Sequence, residues 1–419
     1  MARQRSKSLS ASGAGQGTYC FLSPLDRTVH CSSKKMNMSL SLGGEPPLIN
    51  TTQAAIDVFL ASKQANGQIA GLGYWQVANG YTAIALHDSW SNTTGNAGIL
   101  HELLVEVETN VTDCIDDFND DSMWWGIFLL EMYDLTQDSS HLSVAQNIWT
   151  HVRDFVIPPG KYIINGTDME GGVMWSNMNN ETQVNAITTG LFSELCARLA
   201  LVQADVKARK DFLQFAVYSL FWILRCRYVS DEFLVLDNIN LETGKCFDWS
   251  FTYNTGQAIA AAMAIYDVMK RTPAQPAHSP GAGTYLDMAC NMARAAMTRP
   301  TWVDPDGTLT ERGAYPGTGP NAKTASENDD AVGFKAVLLR SLAKLYRILL
   351  RDQTYPDLQE QLAKFIIWQY QSLQQRDTNG NGQYGPWWAG PMDLPTSHSQ
   401  LAALDVMAAI HAVTHNSTD

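Results

Sequence analysis

The sequence predicts an all-α fold, an (α/α)6 toroid in which six helical hairpins close into a ring. Apolar residues recur at helical spacing along nearly the whole chain, whereas segments that alternate with the period of a strand are scarce. Long connections alternate with short ones, and the aromatic residues concentrate in the long connections. A hairpin unit of about 50–75 residues therefore repeats along the chain, and we expect one domain because no linker divides it.

The periodicity predicts helices at residues 51–65, 78–90, 97–109, 120–135, 139–156, 183–200, 206–227, 253–270, 282–298, 327–352, 356–374 and 396–414. The gaps that follow odd-numbered helices are long, which places the long loops on one face of the ring. Even-numbered helices should form the inner ring, with N-terminal ends that open into one aromatic-lined cleft. We expect a partly irregular N-terminal extension at residues 1–48 and a single (α/α)6 domain at residues 49–415.

Composition and charge exclude several classes of protein. The chain has 419 residues, of which 45% are hydrophobic and 17% charged, as in globular proteins with a large core. Its net charge of −13 is not offset by a long basic run, so we expect no nucleic-acid partner. The longest apolar run, residues 215–226, is too short to span a bilayer, so we expect no membrane span. We also expect a monomer.

Sequons and cysteines bear on the compartment. Seven N-x-[ST] sequons occur where about three are expected by chance, which predicts a secreted glycoprotein of the extracellular space or cell wall. The sequons lie at Asn37, Asn50, Asn92, Asn110, Asn165, Asn180 and Asn416. No apolar segment of a signal peptide follows the basic residues at the N-terminus. The seven cysteines form no CxxC pair, and a disulfide could close the loop between Cys20 and Cys31.

Residues 113–125 contain the largest cluster of carboxyl side chains in the sequence. Five aspartates precede two tryptophans there, at the start of the fourth predicted helix. Helix capping is one interpretation, because Asn119 or Asp120 suits the N-cap and Asp121 suits the helix dipole. A diphosphate–Mg²⁺ site is a second interpretation, because the segment contains a DDxxD pattern, although no second metal motif accompanies it. The acid/base pair of a glycosidase is the third.

The spacing of Asp120 and Asp121 favours the third interpretation. Consecutive side chains at a helix start diverge by about 100°, which puts the two carboxyl groups about 5–6 Å apart. Retaining glycosidases need roughly 5–5.5 Å, so this pair is spaced for retention if both side chains face the cleft. A neighbouring carboxylate and nearby indoles raise the pKa of one member, which keeps that member protonated as the acid.

Five segments, in order, resemble glycoside hydrolase family 76, the endo-α-1,6-mannanases. Asn119–Gly126, followed by Tyr133–Thr136, is similar to the double-aspartate motif of that family. The other segments are Gly171–Trp175 with Asn185–Gly190, Phe251–Gln257, Asp330–Lys335 with Arg340, and Tyr384–Trp388. The resemblance implies an (α/α)6 fold, retaining hydrolysis of α-1,6-mannan, and no obligatory metal; we expect no cofactor.

The resemblance also implies the roles of the two acids. Asp120 becomes the nucleophile that attacks the anomeric carbon, and Asp121 becomes the acid/base. Ala336 departs from the pattern, because glycine is usual after the lysine. Ten further side chains are expected to bind sugar, and for each of them the alternative is core packing, capping or another structural role. They are Trp75, Asp88, Trp125, Trp175, Asn185, Tyr253, Asn254, Gln257, Lys335 and Trp388.

Three functions follow from these residues. The first is a secreted endo-acting α-1,6-mannanase that retains configuration. The second is a cell-wall transglycosidase that uses the same pair of acids, with a sugar hydroxyl in place of water, on glycolipid-linked mannan. The third is a mannan-binding protein without catalytic activity, whose acids only cap a helix.

Overall fold

The computed structural model describes residues 45–272, 276, 279–315 and 324–415, with only the backbone of residues 45–47. These residues belong to one compact unit, Gly43–Asp419. The predicted N-terminal extension lies almost wholly outside the described residues, and so do Cys20, Cys31 and the sequons at Asn37 and Asn416. The boundary at residue 48 stays a prediction.

Twelve α-helices form most of the described chain, in the predicted order. They are α1 (Glu45–Leu60), α2 (Tyr74–Trp90), α3 (Ala97–Asn110), α4 (Asn119–Thr136), α5 (Ser139–Arg153), α6 (Ala186–Val202), α7 (Val206–Cys226), α8 (Thr252–Arg271), α9 (Ala282–Ala296), α10 (Phe334–Asp352), α11 (Pro356–Arg376) and α12 (Ser397–Thr414). α1 begins at residue 45 rather than 51. α10 begins at residue 334 rather than 327, because a 3-10 turn at Asp329–Gly333 precedes it.

The even-numbered helices form a closed inner ring. Each packs against the next, from α2 through α4, α6, α8 and α10 to α12, and α12 packs against α2. The outer helices α3, α5, α7, α9 and α11 contact the inner helices on either side of them in sequence, as α5 does with α4 and α6, whereas α1 packs against α12. The (α/α)6 toroid predicted from the sequence is therefore confirmed.

Burial separates the inner helices from the outer ones. The inner helix α12 buries every residue from His398 to Ala412, because it is covered by neighbours on all sides. The outer helix α5 buries only His141, Ala145, Ile148 and Val152, which form one stripe at helical spacing. Small residues let the inner helices approach closely: a Cβ atom on Gly256 of α8 would lie 2.8 Å from the Cα atom of Leu338 in α10.

Seven short strands, which the periodicity did not predict, lie in the long loops. They are β1 (Ile163–Ile164), β2 (Thr167–Asp168), β3 (Gln183–Asn185), β4 (Tyr228–Val229), β5 (Leu234–Val235), β6 (Asn238–Asn240) and β7 (Cys246–Phe247). β3, β6 and β7 form an antiparallel sheet in which Asn185 pairs with Asn238 and Ile239 pairs with Cys246. Segments of two or three residues are too short to show alternation, so sequence periodicity cannot reveal them.

Buried and partly buried ion pairs tie the inner ring together. The guanidinium of Arg340 in α10 donates two hydrogen bonds of 2.8 Å to the Asp405 carboxylate in α12, and a third of 2.8 Å to Oδ1 of Asn79 in α2. A second network joins Glu131 of α4 to Arg198 of α6 and to Lys344 of α10, at 2.6 and 2.8 Å. Each network bridges three inner helices, and both therefore fix the relative positions of these helices.

The long loops lie where the sequence places them. They connect α1 to α2, α3 to α4, α5 to α6, α7 to α8, α9 to α10 and α11 to α12, and they lead into the N-terminal ends of the inner helices. Among the helices in the described part of the chain, none combines enough length and apolar character to cross a membrane.

Candidate active site

A cavity of about 270 Å³ lies where the N-terminal ends of inner helices meet. Its lining combines aromatic rings with carboxylates and amides: Trp75, Phe118, Asp120, Asp121, Trp124, Trp175, Gln183, Asn185, Asp237, Tyr253, Asp330 and Phe334. These residues come from the starts of α2, α4, α8 and α10 and from the long loops and strands between them. The predicted aromatic-lined cleft with both members of the acid pair is therefore present.

The start of α4 is anchored from outside the helix. Backbone N–H of Asn119 donates to the carbonyl of Trp175 at 2.8 Å, and the Asn119 side-chain amide donates to the carbonyl of Met174 at 2.9 Å. The extended backbone of Phe118 forms a bridge with Ser176. These contacts fix where the helix begins, and so they fix the direction in which its first carboxylates point.

Asp120 is a buried carboxylate with two hydrogen-bond donors. The indole Nε1 of Trp175 donates to its Oδ2 at 3.1 Å, and the backbone N–H of Asp121 donates to its Oδ1 at 3.1 Å. Burial raises the pKa of Asp120, and these hydrogen bonds oppose the rise because they stabilise the ionised form. Asp120 is therefore held in a fixed position by donors that favour its anion.

Asp121 has a different environment from that of its neighbour. Its carboxylate accepts no hydrogen bond from the residues that the structure describes. Burial raises its pKa, and the negative charges of Asp120, Asp116 and Asp330 raise it further. The dipole of α4 favours the anion of Asp121, but burial and the three neighbouring carboxylates outweigh it, so Asp121 keeps its proton to a higher pH than Asp120 does.

Aromatic rings form much of the remaining cavity wall. Tyr253 stacks on Phe334 with 4.1 Å between the ring centroids and 13° between the planes. Trp75 lies 6.2 Å from Phe334 and 6.0 Å from Trp124, again between centroids. Flat rings of this kind suit the apolar faces of pyranose sugars, whose C–H bonds meet the negative face of the ring.

Two further carboxylates complete the cavity. Asp330 accepts hydrogen bonds from the indole of Trp75 at 3.2 Å and from the amide of Gln76 at 2.5 Å. Asp237 accepts from the side-chain amides of Asn238 at 2.9 Å and Asn254 at 3.3 Å. Burial raises the pKa of Asp330 and of Asp237. Both retain acceptor capacity for sugar hydroxyls.

The structure brings six of the twelve predicted site residues together in this cavity: Asp120, Asp121, Trp75, Trp175, Asn185 and Tyr253. Asn185 also caps α6, because its Oδ1 accepts from the backbone N–H of Thr188 at 3.2 Å. The other six predicted residues lie elsewhere, each for a physical reason.

The prediction for Asp88 is wrong. Asp88 lies near the C-terminal end of α2, whereas Trp75 at the start of the same helix reaches the cavity. Its fully buried carboxylate accepts from the backbone N–H of Asn96 at 2.7 Å and from the Asn96 amide at 2.8 Å. Asp88 therefore fastens the turn between α2 and α3.

Trp125 belongs to the core, and Trp124 lines the cavity in the position predicted for Trp125. Trp125 is fully buried and packs edge-on against Tyr81 and Phe128, at 5.9 and 5.8 Å between centroids. Trp124 and Trp125 stand four residues after Asp120 and Asp121, so helical spacing alone places each indole near one of the acids. Packing decides between them, because Trp125 contacts Tyr81 and Phe128 in the core whereas Trp124 lines the cavity.

Asn254 and Gln257 lie behind the cavity wall and do not line it. The Asn254 amide donates to Asp237, and the Gln257 amide donates to Oε2 of Glu194 at 2.6 Å. Both side chains are buried, because α8 is covered on all sides by its neighbours in the ring. Their prediction as residues that touch the sugar is corrected: Asn254 supports a cavity residue, and Gln257 joins inner helices.

Lys335 and Trp388 also lie outside the cavity lining. Lys335 is 1% exposed, donates to the carbonyl of Val332 at 2.7 Å, and places its Nζ 5.1 Å from the ring centroid of the fully buried Trp388. Burial lowers the pKa of Lys335, and the charges of Glu311 and Asp377 oppose this. The predicted sugar contacts of both residues are therefore corrected to a core packing role.

Sequence reasoning missed six cavity residues, namely Phe118, Trp124, Gln183, Asp237, Asp330 and Phe334. Asp330, Phe334 and Trp124 lie in segments that the family resemblance already marked, although spacing from the acids does not separate Trp124 from Trp125. Gln183 and Asp237 arrive through the unpredicted sheet of β3, β6 and β7, and no local sequence signal marks them. Across the described residues, no group of three His, Cys, Asp or Glu side chains is placed to hold a metal ion.

A helical toroid whose cleft holds paired carboxylates among aromatic rings has the features of a glycoside hydrolase. The sequence matches the family model of glycosyl hydrolase family 76 over residues 53–418. The chain therefore belongs to glycosyl hydrolase family 76, as its motifs suggested. No curated protein sequence matches it.

Several solved structures share the fold. One of them is the α-1,6-mannanase GH76A of Salegentibacter sp. HEL1_6, solved with α-1,6-mannotetrose as an inactive variant in which two consecutive aspartates are replaced by alanine. It has 20% identity to this chain and a TM-score of 0.71, and the match covers 87% of this chain and 99% of the mannanase. The mannosidase Bt3792 from Bacteroides thetaiotaomicron has 14% identity and a TM-score of 0.64, over 88% and 98%. Dfg5 from Chaetomium thermophilum, solved with glucosamine, has 15% identity and a TM-score of 0.66, over 88% and 91%.

Proposed function

We propose that this protein is a retaining, endo-acting glycoside hydrolase that cleaves α-1,6-mannosidic linkages in mannan. The observation that carries the proposal is the adjacent pair Asp120 and Asp121 in one aromatic cavity, with environments that separate their pKa values. The similar fold of an α-1,6-mannanase, solved with an α-1,6-mannooligosaccharide, supports the choice of substrate.

In the first step, the ionised Asp120 attacks the anomeric carbon of a bound mannosyl unit. The bond from that carbon to the glycosidic oxygen breaks, and Asp121 transfers its proton to the departing oxygen. The indole N–H of Trp175 holds Asp120 in its attacking position. The leaving chain ends in a free hydroxyl, and the remaining mannosyl unit is bound to Asp120 as an ester.

In the second step, Asp121 is an anion and acts as the base. A water molecule gives a proton to Asp121 while its oxygen forms a bond to the anomeric carbon and the ester to Asp120 breaks. Two displacements at the same carbon return the original anomeric configuration. The rise in the pKa of Asp121 makes it an acid in the first step and able to take the proton back in the second.

Incubation with linear α-1,6-mannan tests the proposal. We expect new reducing ends and a ladder of short mannooligosaccharides, because endo cleavage occurs inside the chain. Mannans with only α-1,2 or α-1,3 linkages serve as controls and should stay intact. Binding of α-1,6-mannan without any new reducing end would instead identify a non-catalytic mannan-binding protein.

Asp330→Asn is expected to move the basic limb of the kcat/KM profile to lower pH by about 0.5–1 unit. The charge of Asp330 raises the pKa of Asp121, so its removal lets Asp121 lose its proton at lower pH. The basic limb reports the acid in the free enzyme. The measurement is kcat/KM on α-1,6-mannan across the pH range.

Asp329→Asn is the matched control, because Asp329 is the adjacent aspartate but does not line the cavity. Its basic limb should stay close to that of the wild type. If the basic limb of the kcat/KM profile of Asp330→Asn stays fixed or moves to higher pH, Asp121 is not the acid.

Transglycosylation is a second candidate function, because the same two acids can pass the mannosyl unit to a sugar hydroxyl, and the similar fold of Dfg5 was solved with a sugar, glucosamine. In that case a sugar hydroxyl gives its proton to Asp121 and takes the mannosyl unit from Asp120 in place of water. Product analysis with excess acceptor sugar separates the two functions. Products that are purely hydrolytic exclude the second candidate, whereas products longer than the starting chains support it.

We also propose that the protein is a secreted glycoprotein. All five sequon asparagines in the described residues are exposed, namely Asn50, Asn92, Asn110, Asn165 and Asn180. Exposure is what an N-glycosylation site requires. Protein purified from its native host should lose mass on treatment with an enzyme that removes N-glycans, and an unchanged mass would contradict the proposal.

A further inference from the structure

A chain of ring contacts leads from the cavity to the protein surface. It begins at Phe334 in the cavity wall, whose ring centroid lies 5.2 Å from that of Phe251. The centroid of Trp249 lies 5.8 Å from that of Phe251, and the centroid of Phe247 lies 5.5 Å from that of Trp249. We call Phe334, Tyr253, Phe251, Trp249 and Phe247 the aromatic ribbon, because Tyr253 stacks on Phe334 and contacts Phe251.

Exposure along the aromatic ribbon rises from the cavity to Trp249. Phe334 is 7% exposed at the cavity end, whereas Trp249 is 55% exposed. Single exposed apolar residues are common on protein surfaces and need no explanation. Trp249 differs from such residues because its ring continues a set of aromatic contacts that ends in the cavity of the paired acids.

Local structure holds the exposed end of the ribbon in place. Phe247 belongs to β7, which pairs with β6, and Asp237 in the cavity wall directly precedes β6. The ammonium group of Lys245 lies 4.4 Å from the ring centroid of Phe247. The carboxylate of Asp248, next to Trp249, is largely exposed and pairs with Arg227 at 2.8 Å. An aromatic face beside a charged acceptor is suited to a sugar ring and its hydroxyls.

The size of the cavity requires a longer glycan to leave it. The cavity volume of about 270 Å³ lies just below the range of about 300–1,000 Å³ that is usual for pockets enclosing a single small ligand. A polymeric substrate must therefore continue over the protein surface. The aromatic ribbon joins the cavity wall to an exposed indole at Trp249 through ring contacts, which places that indole on the side towards which such a chain can continue.

We propose that Trp249 forms an outer sugar-binding subsite, in which its exposed indole stacks on a pyranose of the same glycan chain whose cleaved linkage lies in the cavity. This inference rests on the proposed function, and it identifies Trp249 as a residue that determines which chain lengths the enzyme prefers. Trp249 then acts on binding of long chains and takes no part in the chemical step.

Trp249→Ala tests the subsite with α-1,6-mannooligosaccharides of two to six units. We expect the ratio of kcat/KM on the longest chain to kcat/KM on the shortest cleaved chain to fall about tenfold relative to wild type. The loss should appear in KM, because the indole contributes to binding of the chain. Trp249→Phe should recover much of the ratio, since it keeps an aromatic face.

Phe233→Ala is the matched control. Phe233 is 37% exposed and lies in the same connection between α7 and α8, but among the described residues it has no ring contact with the aromatic ribbon. Its length preference should equal that of the wild type. An unchanged ratio in Trp249→Ala, or an equal loss on short and long chains, would overturn the proposal.

Failure of the proposed function gives a different result. If the wild type cleaves no α-1,6-mannan, the catalytic proposal fails, and titration calorimetry with the six-unit oligosaccharide still tests the subsite. Weaker binding to Trp249→Ala than to wild type and Phe233→Ala supports the subsite. Equal binding to all three proteins, or no binding to any of them, overturns it.

Discussion

Asp120→Asn and Asp121→Asn should each lower kcat/KM on linear α-1,6-mannan by about ten-thousandfold. An amide at position 120 cannot attack the anomeric carbon, and an amide at position 121 cannot give a proton to the leaving oxygen. Reducing-end assays of both variants beside wild type provide the measurement. Full activity in either variant would remove that residue from the mechanism.

Folding controls separate this loss from misfolding. Burial raises the pKa of both acids, so their ionised forms cost stability in the folded protein above the ordinary pKa of aspartate. Both asparagine variants should therefore melt at or above the wild-type temperature near neutral pH. Loss of activity together with a lower melting temperature would point to structural damage.

The two acids can also be distinguished from each other. A mannooligosaccharide that carries a good leaving group needs no acid in the first step, so Asp121→Ala can still form the ester on Asp120. Added azide then takes the place of water in the second step. Its azide product should keep the α configuration, because two displacements occur. Asp120→Ala should give a β-azide by one displacement, and exchanged configurations would reverse the assignment.

Asp405→Ala is expected to lower the free energy of unfolding by about 3–5 kcal/mol. Its carboxylate accepts two hydrogen bonds from Arg340, and the side chains of both residues are less than 5% exposed. Removal of the carboxylate leaves a buried guanidinium without its counter-ion between α10, α12 and α2. Urea denaturation monitored by circular dichroism measures the change.

Two comparisons make this stability prediction specific. Glu360→Ala removes one side of the exposed ion pair with Lys364 and should cost less than about 1 kcal/mol. Replacement of both Arg340 and Asp405 by apolar residues should recover part of the stability, because no buried charge is then left alone. A cost in Asp405→Ala no larger than that in Glu360→Ala would contradict the role of this pair.

Sequence periodicity predicted the ring but not its sheet. Helices such as α12 extend over many turns, so their pattern and connections were sufficient to predict six hairpins and the closure of α12 on α2. Within the sheet of β3, β6 and β7, the pairing of β3 with β6 joins residues more than fifty positions apart, as in Gln183 with Asn240. Such pairing depends on the folded ring, and it carries Gln183 and Asp237 into the cavity without a local signal.

Most of the errors at the site have one cause, which is the side on which a residue faces; Asp88 differs, because it lies near the opposite end of α2. Trp124 and Trp125 are equally aromatic, yet the helix turns one to the cavity and the other to the core. Lys335 follows Phe334, and only the phenylalanine reaches the cavity. Motif resemblance identifies which segments lie near the site, but only the packed structure decides which side chains reach it.

Covalent trapping tests the central claim most directly. A slowly cleaved fluorosugar substrate with an α-1,6-linked mannosyl unit should leave one mannosyl adduct on the protein. Mass spectrometry of the peptide that contains both acids then shows which residue carries the adduct. The account predicts the adduct on Asp120 and none on Asp121. An adduct on Asp121, or cleavage of the slow substrate that proceeds with inversion and without any adduct, would contradict the assignment of nucleophile and acid.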